Sequence, residues 1–457
     1  MGNANLKKLL VNAYYFPPIG GGGVQRTVKF AKYLPEFGWD PTILTVKDIA
    51  YRSYDPTPLD EIPEVRVVRT GSFDPFRLGY LASKGIGRSN RKRDEIEVLR
   101  SFGELEAREE KRKSGTKSGY GCFAAASKYF FVPDVQVAWA PFALYKALRV
   151  CRRDNIKAVY TTSPPESAHF VGSVIKRLTG LPWVADFRDV WGNLFWRKQL
   201  PSLHRTVNAK LERWVLGYAD GLVFNTEPTF KRMRSIIGPV KPAVNIPNGF
   251  DPPDFDEDPV ERSRNEFIIV HFGNFGTGLT AVDILRAFAA AGEKSDAFKE
   301  AARLYLIGVN TDDDVMEAKN LGIGGKVVFA GYLSHREGLR FCKAADLLLL
   351  IMGPAFEPER VPGKLYEYMG AGRPVLAAVP EGEAARFVRA VYGEESVTGP
   401  DDVSGVARRF VRAFENWRKG EAAVAPEPAL ISRFYRRRLT SQLGVLLDGL
   451  VKKTPGV

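Results

Sequence analysis

Phe356-Glu357-Pro358-Glu359-Arg360-Val361-Pro362-Gly363-Lys364-Leu365-Tyr366-Glu367-Tyr368-Met369-Gly370-Ala371-Gly372-Arg373-Pro374-Val375 is the stretch on which the fold turns. Ahead of it runs an apolar segment, Leu347 to Met352, closed by Gly353-Pro354. That pattern reads as a buried strand entering a loop. Pro362-Gly363 interrupts the chain, Lys364 opens a short helical run, and Gly370 and Gly372 end it. Pro374 leads into a second buried strand, Val375 to Val379. Strand, loop, helix and strand make a βαβ unit. Its loop falls at the carboxyl end of a parallel strand, where open α/β sheets bind ligands.

The loop chemistry suits a nucleotide. Unbonded N–H groups at the start of a helix favour anions, phosphate above all, and Lys364 adds a cation at that place. Glu367, three residues on, shares a helix face with Lys364. One ligand would meet a cation and then an acceptor, as a diphosphate followed by ribose hydroxyls requires. Glu359 lies eight residues before Glu367 and approaches from the loop side. The plainer reading is a surface loop with two carboxylates. The strand before it and Gly370-Ala371-Gly372-Arg373-Pro374-Val375 after it favour the binding site.

This spacing, Glu359-x7-Glu367 followed by the glycine-rich Arg373-Pro374-Val375 turn, resembles the signature of retaining glycosyltransferases of family 4 (glycosyltransferase group 1) of the bacterial surface-polysaccharide type. The resemblance implies an α/β, GT-B fold: two Rossmann-like, doubly wound domains facing a cleft. It implies that Glu367 binds the donor ribose and that Glu359 lies near the donor sugar as the first catalytic candidate. Lys364 and Leu365 at the helix start, with Arg360, then belong to the donor site.

The bulk numbers set limits. A chain of 457 residues should hold two or more domains, and 45% hydrophobic residues suffice for ordinary cores. The longest apolar runs are strand-sized, short of the roughly 20 residues of a membrane span. Met1 to Leu10 contains no signal-peptide core. The expectation is a cytoplasmic protein with no transmembrane anchor, at most peripheral on the inner face of the plasma membrane. Cys122, Cys151 and Cys342 are too scattered for a disulfide framework or a zinc site. A net charge of +13 suits anionic lipid, nucleic acid or phosphorylated substrates without choosing among them. The family resemblance leaves nucleic acid aside.

Near the start, Leu9 to Ala13 is a short apolar run, followed by Tyr14-Tyr15-Phe16-Pro17-Pro18-Ile19 and four glycines, Gly20 to Gly23. Val24, Val28, Ala31 and Leu34 then follow helical spacing. A glycine loop between a first strand and a first helix lets backbone N–H groups approach a ligand. It is neither a Gly-x-Gly-x-x-Gly fingerprint nor a P-loop. With Lys32-Tyr33-Leu34-Pro35-Glu36-Phe37-Gly38-Trp39 it is similar to the family's N-terminal loop, which contacts the acceptor or the donor phosphates. Those roles fall on Gly21, Gly22 and Gly23, with Arg26 assisting. Strands follow at Thr42–Val46 and Val65–Val68. From about 75 to 127 apolar periodicity fails, and Arg88, Arg91, Lys92, Arg93, Lys111, Arg112, Lys113 and Lys117 cluster among acids. This is either a solvated insertion or an excursion that binds anionic membrane or acceptor. Phe123, Tyr129, Phe130 and Phe131 belong either to that interface or to the core.

Ala143 to Arg153 reads as an amphipathic helix and Ala158 to Thr162 as a strand. Ser163-Pro164-Pro165-Glu166-Ser167-Ala168-His169 and Asp186-Phe187-Arg188-Asp189-Val190-Trp191 are loops at strand ends that resemble motifs of bacterial family 4 enzymes. His169 and Arg188 are acceptor-side candidates, and Asp186 is the second catalytic candidate. A packed histidine and a structural ion pair are the rival readings. Gly221–Phe224 and Ala243–Ile246 are further strands. Asn248-Gly249-Phe250-Asp251 is turn chemistry and marks the linker. Phe267–His271 opens the second domain, and Gly273-Asn274-Phe275-Gly276-Thr277-Gly278 makes a glycine turn. Gly273 and Asn274 join the donor candidates. Here the sequence departs from the family, which carries Arg or Lys in this turn and a Lys five residues on. Asn274 and Leu279 stand instead, so Lys364, alone or with Arg360, bears the phosphate charge. Arg303–Ile307 and Val327–Ala330 are strands. Asp312-Asp313-Asp314 is the acidic start of a helix rather than a metal site. Leu430 to Leu450 reads as one basic amphipathic helix.

The expected domains are 1–246, 247–427, and a terminal helix, 428–457, that crosses back to the first. The expected reaction moves a sugar from a nucleotide-sugar donor to a glycan or lipid-linked acceptor with retention, in surface-polysaccharide or lipopolysaccharide assembly. No cofactor and no metal are expected, because the Lys364 cation and the helix N-terminus stabilise the leaving diphosphate; the resemblance further implies that the leaving phosphate takes the acceptor's proton, so that no strong general base is needed. A nucleotide-sugar epimerase of the same fold, or a catalytically degenerate partner that binds sugar nucleotide or membrane, are the alternatives.

Overall fold

Seven strands form the first sheet: β1 (Lys7–Asn12), β2 (Trp39–Val46), β3 (Arg66–Thr70), β4 (Ile156–Ser163), β5 (Trp183–Phe187), β6 (Gly221–Phe224) and β7 (Ala243–Asn245). Their order is β3-β2-β1-β4-β5-β6-β7, and every pairing is parallel. The computed structural model describes residues 6–49, 53–85, 131–189, 191, 200–276, 279–421 and 425–452. The basic cluster from Arg88 to Lys117, and Phe123, Tyr129, Phe130, Thr277 and Gly278, lie outside the described residues.

The chain divides into two compact units, one running to Gly249 and resuming at Arg436, the other spanning Phe250–Tyr435. The second unit carries β8 (Phe267–Phe272), β9 (Ala302–Ile307), β10 (Val327–Gly331), β11 (Leu347–Ile351), β12 (Val375–Ala378) and β13 (Val397–Thr398). These are parallel and ordered β10-β9-β8-β11-β12-β13. Both sheets are doubly wound. Strand order reverses between β1 and β4 in one and between β8 and β11 in the other. A crevice opens at the carboxyl ends of each such pair.

The Leu347–Ile351 run is apolar at every position because both faces of its sheet are covered. Leu348 and Leu350 enter one core, and Leu347, Leu349 and Ile351 enter the other. β1 does the same: Leu10 faces one layer, Leu9 and Val11 the opposite one.

One expectation is corrected. The segment after Pro428 is not a single helix but a short turn of helix, Pro428–Ile431, and a longer helix, Arg436–Val451. The break falls where aromatic side chains dock. The Phe434 ring meets Tyr366 at 5.1 Å and the Tyr435 ring meets Phe250 at 5.2 Å. Both contacts belong to the second unit. Leu439, Leu443, Leu447 and Leu450, one face of the following helix, enter the first unit's core beside Leu9, Val11, Val24 and Val28. Lys7 pairs with Asp448, and the Trp39 indole donates to the same carboxylate at 2.9 Å. No helix among the described residues is long and apolar enough to cross a membrane.

Candidate functional site

In the second unit the crevice is set by Tyr368. Its Oη accepts from the Phe272 amide at 2.9 Å and donates to the Leu349 carbonyl at 3.3 Å, joining the ends of β8 and β11. The helix Gly363–Ala371 begins here. Its N-cap is Pro362, and no side chain caps its first turn. The Leu365 side chain is buried in the core, and its amide donates to the Pro362 carbonyl at 3.1 Å. Its place in packing is what holds the first turn.

His271, buried at the end of β8, orients Lys364. Its Nδ1 lies 2.8 Å from the Leu349 carbonyl, which can only accept, so Nδ1 carries the proton. Nε2 then offers its lone pair to the Lys364 ammonium at 3.3 Å. Burial and the neighbouring ammonium hold His271 well below its ordinary pKa, so it is neutral. Burial also lowers Lys364 to about 8, opposed by Glu367 and reinforced by Arg360. Gly273 leaves the room: a Cβ there would lie 2.2 Å from Lys364 Nζ.

Asn274 ties the glycine turn to the next loop. Its Oδ1 accepts from the Val309 amide at 2.9 Å, and the Phe275 amide donates to the Val309 carbonyl at 2.7 Å. Leu279 is buried in the core. A bonded amide and a packed leucine thus occupy the two positions where the family resemblance would place basic groups.

Glu367 is 9% exposed, and its Oε1 lies 2.8 Å from His335 Nε2. His335 is the first residue of the helix His335–Ala344, whose N-cap Ser334 forms a capping box with Glu337. The sequence reading missed His335. The signal was there: Ser334-x-x-Glu337 directly follows β10 and so puts a helix start at a strand's carboxyl end. Arg360 stacks its guanidinium 4.9 Å from the Phe356 ring. The loop holding Arg360 and Glu359 is anchored where the Glu383 amide donates to the Pro358 carbonyl at 2.7 Å. Asp314 belongs to the Thr311 capping box, as expected of an acidic helix start.

The first unit's candidates are arranged differently. Gly21 sits at φ 107° ahead of the helix Gly22–Tyr33, a conformation that favours glycine. Arg26 and Asp186 do not face outward. Arg26 donates from Nε and Nη2 to the two Asp186 oxygens at 3.0 and 2.9 Å, and from Nη1 to the Pro247 carbonyl at 2.9 Å. Tyr160 and Thr162 hydroxyls also donate to Asp186, at 2.6 and 2.9 Å. Both charges are buried. The pair holds the ends of β4 and β5 to the first helix, the structural ion pair that was the rival reading for Asp186. Arg188 likewise binds backbone, donating to the Ser163 carbonyl at 2.8 Å, the Pro164 carbonyl at 2.7 Å, and the Gly23 carbonyl. It staples the proline loop to Gly21-Gly22-Gly23. His169 is fully buried against the Phe187 ring at 4.7 Å, with Nδ1 2.7 Å from the Thr161 hydroxyl. Burial lowers it to about 3, so it is a neutral, packed histidine.

Residues 124–249 match the family described as glycosyl transferase 4-like domain, and residues 266–416 match glycosyl transferases group 1. No curated protein matches the sequence. Among solved structures, HepE from Anabaena in complex with UDP and glucose is 16% identical, with 97% of this chain and 100% of that one covered at a TM-score of 0.63. Sucrose-phosphate synthase from Thermosynechococcus elongatus is 14% identical over 98% and 100%, at 0.65. WaaG, a glycosyltransferase involved in lipopolysaccharide biosynthesis, is 15% identical over 99% and 100%, at 0.53. At such identities the structures speak for the fold alone: two Rossmann-like domains, as in the GT-B enzymes. The two family matches follow one another over more than half of the chain, one on each parallel sheet, and the chain belongs to the glycosyltransferases of group 1.

Proposed function

We propose that this glycosyltransferase takes its sugar from a nucleotide-sugar donor bound at the second unit's crevice. Transfer is to a glycan or lipid-linked acceptor with retained anomeric configuration, in surface-polysaccharide or lipopolysaccharide assembly. The observation that carries this reading is the Lys364 ammonium at the head of an uncapped helix, with the Glu367 carboxylate one turn on. The helix N-terminus and the ammonium stabilise negative charge as it develops on the leaving diphosphate. Glu367 accepts from the ribose hydroxyls. Glu359, with Arg360, lies on the sugar side of the loop. The leaving phosphate takes the acceptor's proton, so no side chain has to be a strong base. Lys364 supplies the cation that a divalent metal would otherwise provide. HepE's complexes with UDP and UDP-glucose support a nucleotide-sugar donor and make the uridine series the first to test.

Thermal-shift and calorimetric titration against UDP-, GDP-, ADP- and dTDP-sugars are expected to give one binding series. NMR of the product is expected to show the donor's anomeric configuration, with activity persisting in EDTA. Binding of none of the four, an inverted product or strict Mg²⁺ dependence would sink the proposal.

A peripheral membrane contact is proposed for the first unit. Phe73 is 65% exposed, and Leu78 and Leu81 on the helix Pro75–Gly85 are each 45% exposed. Apolar side chains beside a cationic chain suit an anionic lipid surface. Flotation with phosphatidylglycerol vesicles is expected to retain the wild type and to lose a Phe73→Ser/Leu78→Ser/Leu81→Ser variant. Equal flotation of both would remove the idea.

A further inference from the structure

His335 belongs to no expected site, yet it holds the carboxylate on which donor recognition is proposed to rest. We infer that His335 is a positioning residue: its Nε2–H fixes the Glu367 carboxylate in the orientation that accepts from the 2′- and 3′-hydroxyls of a ribonucleotide. The inference rests on the proposed role of Glu367 and goes beyond it by naming what gives that carboxylate its selectivity.

The geometry has three parts. First, the distance of 2.8 Å between His335 Nε2 and Glu367 Oε1 is that of a hydrogen bond to a charged acceptor. A carboxylate can only accept, so Nε2 carries the proton in the neutral ring as in the imidazolium. Second, both backbones are fixed. His335 follows Ser334, whose hydroxyl and Glu337 close a capping box, with the Ser334 hydroxyl 2.7 Å from Glu337 Oε2. Glu367 sits between Tyr366 and Tyr368, both buried in the core. Third, the side chains are sheltered, at 14% and 11% exposure, so water competes poorly for the bond.

A glutamate has three rotatable bonds, and an unanchored one samples many orientations. The bond at Oε1 constrains the orientation of the group, and a carboxylate has several lone-pair sites with which to accept from a vicinal diol. A site built this way rejects a sugar lacking its hydroxyls, because the carboxylate is then left without them. His335 therefore affects the ribose contribution to binding and not the diphosphate contribution, which belongs to Lys364 and the helix start.

The test is calorimetric. UDP, GDP and ADP are each compared with their 2′,3′-dideoxy counterparts in wild type, Glu367→Gln, His335→Ala and His335→Gln. In the wild type one ribonucleotide is expected to bind roughly tenfold or more tightly than its dideoxy form, and Glu367→Gln is expected to lose that preference. His335→Ala is expected to lose most of it too, through weaker ribonucleotide binding at unchanged dideoxy affinity. Glutamine places an amide N–H2 near the position of Nε2, so His335→Gln is expected to recover most of the preference. If the wild type shows no preference, or Glu367→Gln keeps it, the ribose reading fails and the inference falls with it. If those two hold but His335→Ala keeps the preference, the inference alone is overturned. It is equally overturned if His335→Ala weakens both nucleotides alike, or if His335→Gln behaves as the alanine variant does.

Discussion

Asp186→Ala is expected to destabilise the first unit by about 3–5 kcal/mol, the range for removing one partner of a buried ion pair. That is a large part of the roughly 5–15 kcal/mol that holds a typical domain folded. The loss has a definite source. Arg26 keeps its charge with no counter-ion in a buried place, and the Tyr160 and Thr162 hydroxyls lose their acceptor. Burial by itself would raise the Asp186 pKa, but Arg26, with hydrogen bonds from Arg26 and Tyr160, outweighs it and holds the carboxyl below its ordinary value. A carboxyl whose pKa is lower in the folded chain adds stability above its unfolded value of about 4 and loses it as pH falls through the folded value. The gap between wild type and variant is therefore expected to be full at pH 7 and to shrink below about pH 4. Urea unfolding followed by tryptophan fluorescence reads this unit directly, since Trp39, Trp139 and Trp183 are buried in it. A gap below about 1 kcal/mol at pH 7, the value of an exposed pair, would show that the site relaxes or admits water.

Lys364→Met is expected to lower kcat/KM for the donor roughly 10²–10³-fold, the effect of removing one preorganised group aimed at developing charge. The wild type carries a second mark of this residue. Lys364 is active when protonated and its pKa lies at about 8, so kcat/KM is expected to fall as pH rises through that value. Lys364→Arg stays charged at any working pH, and its residual activity should not show that limb. Gly273→Ala probes the same atom from the other side. The added methyl would displace the flexible end of Lys364, lowering activity while leaving stability nearly intact, and adding little in the Lys364→Met background. An unchanged alkaline limb in Lys364→Arg, or an additive Gly273→Ala, would refute the assignment.

How much of this was legible depends on how local the cause is. β11 and β12 could be read because a strand covered on both faces is apolar at every position. Gly221–Phe224 was read residue for residue for the same reason. β13 was missed because two residues show no period. The break at Ser432–Tyr435 was missed because the apolar spacing from Ile431 to Leu450 continues across it; only the docking of Phe434 and Tyr435 on distant rings interrupts the helix. At the site, Lys364 and Glu367 were found because they share one helix. His335 is 32 residues from Glu367, and Arg26 is 160 from Asp186. Partnerships at those separations are made by strand order, which no local window contains. At the first switch point the polar residues were placed in the right loops, with a packed histidine and a structural ion pair among the readings; what the sequence did not supply was the partners, Thr161 for His169 and Arg26 for Asp186.

The helix Arg436–Val451 gives the two units different histories during synthesis. Leu439, Leu443, Leu447 and Leu450 complete a core whose other members begin at Leu9, so the ribosome supplies the last piece of that core only after all of Phe250–Tyr435 has emerged. The second sheet, drawn from one uninterrupted span, can close while the chain is still growing. The half translated first is thus the half that matures last, and until then the layer over Leu9, Val11 and Val28 is the apolar surface that a nascent-chain chaperone would meet.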